Sequence, residues 1–80
     1  MVKFELTMES GQKLQIIAEE YDLHLAGIEL DAGAEPTEKD IYTWLMYAKT
    51  FIGKDLLHRR VLGIASKVES IRKIGPKEWG

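Results

Sequence analysis

The 80-residue chain contains no cysteine, two histidines and two prolines. Without cysteine there is no disulfide to brace a small domain, and a thiolate zinc site is excluded. Two histidines are too few for a metal site built from imidazoles alone. The scarcity of proline, with 45% hydrophobic and 30% charged residues, sets the chain apart from disordered sequences. It has no apolar run of the roughly 18 residues needed to cross a bilayer, and no signal-peptide core near the start. A cytoplasmic location without membrane association is the expectation. A domain of this size buries only about 60% of the surface its unfolded chain exposes, so its stability is marginal unless something supplements the core.

The net charge of −2 conceals a division along the chain. Residues 1–40 carry three lysines against ten acids, a balance of −7, and residues 41–80 carry eight basic residues against three acids, a balance of +5. Such a split suits an anion-binding half, or two halves that attract each other within or between chains.

Residues 2–18 read as a β-hairpin. Phe4, Leu6 and Met8 alternate with Glu5, Thr7 and Glu9, and beyond Gly11 the alternation resumes with Leu14, Ile16 and Ala18. A three-residue Glu9-Ser10-Gly11 loop, with Gly11 in the left-handed region, pairs Leu6 with Leu14, Phe4 with Ile16 and Val2 with Ala18. A competing helix through Leu14, Ile17, Ala18, Tyr21 and Leu25, from Ser10 to Gly27, leaves Ile16 and Leu23 on its wet side. Residues 23–30 then suggest a third strand with a bulge at Gly27, making a meander. Residues 31–36 form a connector ending at Pro36.

Two helices are expected to follow. Residues 37–52 place Ile41, Trp44, Leu45, Ala48, Phe51 and Ile52 on one face, and Thr37 with Asp40 approximates a capping box. Residues 55–74 carry Leu57, Val61, Ile64, Val68 and Ile71 at heptad-like spacing, ending at Gly75-Pro76, with 75–80 as a tail. The expected architecture is one α+β domain, a hairpin or three-stranded meander packed on a C-terminal two-helix hairpin.

No motif is specific for an enzyme. His58-Arg59-Arg60 suggests phosphodiester chemistry, yet neighbours on a helix point 100° apart. His24 with Asp22 or Glu20 offers too few metal ligands. Gly53-Lys54-Asp55 lacks the earlier glycine and the Ser or Thr of a phosphate loop. No catalytic residue, metal or cofactor is assigned. Tyr42, Met46 and Tyr47 lie off the apolar stripe of the first helix, and such residues are enriched at protein interfaces. They are the expected anchors of a non-enzymatic interaction module (adaptor, inhibitor or assembly factor), with Arg59 and Arg60 as rim charges. The partner is self or foreign, a homodimer first. The alternative is a nucleic-acid-binding regulator using Arg59, Arg60, Ser66, Lys67, Ser70 and Lys73 along the second helix.

Overall fold

A computed structural model describes residues 2–79. The chain is mostly sheet: β1 (Val2–Met8), β2 (Lys13–Ala18), α1 (Glu20–Leu25), α2 (Glu38–Ala48), β3 (Thr50–Lys54), β4 (Arg60–Ile64), a 3₁₀ turn (Ala65–Lys67) and β5 (Val68–Ile74). The five strands form one antiparallel sheet in the order β4-β3-β2-β1-β5.

The N-terminal hairpin has the register its alternation demands, with Val2 opposite Ala18, Phe4 opposite Ile16 and Leu6 opposite Leu14. Its loop closes through Met8 N–H to Gln12 O and Gly11 N–H to Met8 O, both 2.8 Å, and Gly11 has φ +88°. An L side chain rarely adopts that conformation, so glycine stands there. The competing helix does not form over β2.

Several of the expectations that follow in the chain need correction. Residues 23–30 are not a third strand. Leu23 ends up in the core on short helix α1, which stops where Gly27 takes φ +83° and Ile28 N–H reaches back to Leu23 O. This is a glycine helix stop rather than a bulge.

The predicted 37–52 helix ends at Ala48. It begins with the capping box: Asp40 N–H donates to Thr37 Oγ1 at 3.3 Å and Thr37 N–H to Asp40 Oδ2 at 2.9 Å. At its far end Lys49 turns to φ +70°, and Thr50, Phe51 and Ile52 continue as strand β3. Phe51 still enters the core, while Ile52 is exposed on the opposite face.

The 55–74 helix does not exist, and with it falls the helical hairpin. Val61, Val68, Ile71 and Ile74 are β-branched residues that suit strands. In β4, Val61 and Gly63 face inward while Leu62 and Ile64 face outward. Of the heptad-like set, Leu57 lies in the β3–β4 turn and Ile64 faces outward. Val68 and Ile71 both meet the core, three residues apart, because the β1–β5 register shifts between Thr7 and Met8.

That turn also shapes the sheet. β4 and β5 lie at opposite edges, yet only Ala65–Lys67 joins them. Four Cα steps reach about 15 Å at most, whereas a flat sheet would separate the edges by about 19 Å even before any offset along the strands. The sheet must therefore coil into a partly closed barrel. Ala65 N–H to Lys49 O and Glu9 N–H to Lys67 O, each 2.8 Å, pin the turn. Inside the coil lie Phe4, Leu6, Met8, Leu14, Ile16 and Phe51, and Ile41 and Leu45 of α2 join them with Leu23. Two strand glycines permit this packing. A Cβ on Gly63 would stand 2.2 Å from Phe51 Cζ, and one on Gly53 would stand 3.1 Å from Leu14 Cβ.

Candidate interaction surfaces

Helix α2 offers two rows of side chains. Ile41 and Leu45 point into the core, and one position further on Tyr42 and Met46 point out. Tyr42, Met46 and Tyr47 are 59%, 53% and 59% exposed. Tyr42 and Met46 line a groove of about 320 Å³ between α2 and β5, whose other wall includes Ala65, Val68 and Ile71. Tyr47 does not line it. The rim carries Glu38, Lys39 and Glu69, and Glu38 Oε2 also accepts Lys73 N–H on β5 at 3.3 Å.

Arg59 and Arg60, expected as rim charges beside these anchors, do not line that groove. They sit where the β3–β4 turn enters β4. Asp55 organises the turn: its Oδ1 accepts the N–H groups of Leu57 and Arg59, and its Oδ2 accepts Arg59 Nε at 2.8 Å. The backbone N–H of Arg59, with the Arg59 side chain and the Leu57 N–H, holds the Asp55 carboxyl below its ordinary range against the opposing effect of burial. The His58 backbone N–H donates to Asp55 O at 2.9 Å, and His58 takes φ +62°. Leu56 and Leu57, 64% and 69% exposed, stand at the tip.

The six residues of the nucleic-acid alternative do not share a helix face. Arg59 is bound to Asp55, Ser66 and Lys67 lie in the 3₁₀ turn, Lys67 pairs with Glu9 at 3.7 Å, and Ser70 lines the α2–β5 groove. Lys73 pairs with Glu35 at 3.7 Å and lies over the Phe4 ring at 5.9 Å. Arg60 lies apart, opposite Lys54.

Two features went unread in the sequence because both need strands where a helix was expected. One is the charge cluster on the outer face of β1. Glu5 is buried there, held by Arg72 Nη2 at 3.2 Å, Lys13 Nζ at 3.4 Å and Trp79 Nε1 at 2.9 Å. Burial alone would raise its carboxyl, but the Trp79 hydrogen bond and the Arg72 and Lys13 charges outweigh it and hold it below the ordinary range. The other is a row of exposed aliphatics on the outer face. Ile52 stands opposite Leu62, and Ile17 and Ile52 line one groove between β2 and β3.

Among the described residues no three His, Asp or Glu side chains gather as a metal site. His24 Nδ1 instead meets Glu29 Oε1 at 2.8 Å. No described helix is long and apolar enough to cross a membrane. Compared with protein-family models, with curated proteins and with solved structures, the chain finds no match.

Proposed function

We propose that the chain is a non-enzymatic protein-interaction module that binds a second copy of itself through the exposed face of α2. One observation carries the reading: Tyr42 and Met46 are more than half exposed, yet they stand together as one wall of an apolar groove. Singly scattered apolar side chains are normal on surfaces, but Tyr and Met gathered at a concavity are what an interface core uses. The rim holds both signs of charge, Glu38 and Glu69 against Lys39. A two-fold-related copy meets this patch with the same patch, so a surface of mixed sign can satisfy itself. A marginal domain of this size also gains stability from such association.

Light scattering over a concentration series tests the reading. The wild-type chain should move from monomer to dimer mass. Met46→Asp and Tyr42→Glu should remain monomeric while keeping the wild-type circular dichroism spectrum. A wild-type chain that stays monomeric throughout, or variants that dimerise equally well, would sink the proposal.

A further inference from the structure

On the other side of the coil, β2 and β3 pair only at Gln15–Lys54. Where they part lies a groove of about 360 Å³, lined among others by Lys3, Ile17, Ile52, Lys54, His58 and Arg60. No carboxylate lines it.

The charges in this groove are arranged unlike those elsewhere in the sheet. Across β1 and β5, Glu5 faces Arg72, and Glu5 also meets Lys13. In the groove Lys54 stands directly opposite Arg60, and like charges so placed are destabilising. Theirs is the one like-charged cross-strand pair among the described ladders. Of the eleven Lys and Arg residues, Lys13, Arg59, Lys67, Arg72 and Lys73 form ion pairs within the described residues. Lys3, Lys54 and Arg60 do not, although Lys3 Nζ donates to Pro76 O at 3.4 Å. The nearby carboxylates are engaged, Asp55 by its turn and Glu5 by its three donors. Half of the cations that lack an acidic partner thus line one groove in a chain of net negative charge.

We infer that this groove binds a small organic phosphate, with Lys3, Lys54 and Arg60 around the phosphate oxygens and Ile17 and Ile52 against its apolar part. Arg60 supplies planar paired donors, the lysines act as point charges, and the His58 imidazole can add a donor. The bound dianion removes the repulsion between Lys54 and Arg60. The volume is at the small end for ligand sites, which suits one phosphate on a compact body rather than an extended polymer. No Phe, Tyr or Trp ring lines the groove for nucleobases to stack on. This site is separate from the α2 surface and does not depend on the self-association proposed for it.

Backbone amide NMR of the whole chain at low salt tests the inference, with phenyl phosphate and inorganic phosphate as separate probes. Phenyl phosphate should shift the amides of Gln15, Ile17, Ile52, Lys54 and Arg60, and inorganic phosphate should bind the same place more weakly. The double variant Lys54→Gln/Arg60→Gln should bind phenyl phosphate about tenfold or more weakly. With no ligand present it should melt no lower than wild type, because it relieves a repulsion. Equal response to both probes overturns the organic part of the assignment. Shifts spread equally over Lys39, Lys49 and Lys77, or unchanged binding by the double variant, overturn the site. So does a response confined to a single-stranded oligonucleotide, which would make the groove a nucleic-acid surface.

Discussion

The Trp79 indole donates its Nε1–H to Glu5 Oε2 at 2.9 Å, joining residues 74 positions apart. The bond folds the chain after β5 across the outer face of β1, where Arg72 already bridges Glu5 and Glu78. A carboxylate placed on a sheet surface has thereby become an internal one.

Glu5 is therefore expected to make stability depend on pH. Its carboxyl lies below the ordinary range when folded, so its contribution is complete above the unfolded-state value of about 4.3. It is lost as pH falls through the lower folded value. Glu5→Gln should cost about 1–3 kcal/mol at neutral pH, with the difference from wild type narrowing in acid. Urea unfolding followed by tryptophan fluorescence at the two extremes measures this. A gap independent of pH would show that the loss is one of packing rather than charge.

Gly63 sits under the Phe51 ring as its cross-strand partner. Gly63→Ala should lose about 1–3 kcal/mol by overpacking. Phe51→Leu made in the same chain should return part of that loss, because the ring edge is what the new methyl meets. A double-mutant cycle reads the coupling directly. Strict additivity would mean that the two residues do not constrain each other.

Thr37 caps α2 through the N–H of Asp40. Thr37→Ala should cost about 1 kcal/mol, and Thr37→Gly only a few tenths, because glycine lets water and backbone replace the cap. Chemical denaturation of the two variants distinguishes them. Equal losses would assign the effect to something other than the capping hydrogen bond.

How far the sequence reveals this fold depends on where the information for each element lies. The first hairpin could be read to its register because its pattern and its turn are local: alternating Phe4, Leu6, Leu14 and Ile16 surround a glycine in the loop. The start of α2 was legible for the same reason, as Thr37 and Asp40 are three residues apart. Its end was not. Phe51 satisfies a helical stripe and an inward strand position equally well, and only the left-handed turn at Lys49 separates the two. Val61 through Ile74 misled further, since the outward Ile64 and the irregular β1–β5 register between Val68 and Ile71 together imitate a helical period. The β-branched content was the local signal in favour of strands.

The candidate surfaces divide in the same way. Tyr42 and Met46 could be singled out because they lie within one helix, whereas the opposite wall of their groove comes from Ala65, Val68 and Ile71, far along the chain. The Lys3, Lys54 and Arg60 grouping depends on the coiling of the sheet, which no local pattern expresses.

Strand β1 lies between β2, which follows it after a short loop, and β5, whose Arg72 is 67 residues beyond Glu5. Half of β1's pairing is thus among the earliest available to the chain and half among the latest. The long loop must close before the second set of contacts can offset its entropy. Folding is expected to begin at the N-terminal hairpin and to be limited in rate by the docking of β5. Until that strand arrives, the outer edge of β1 stands open to any other extended segment.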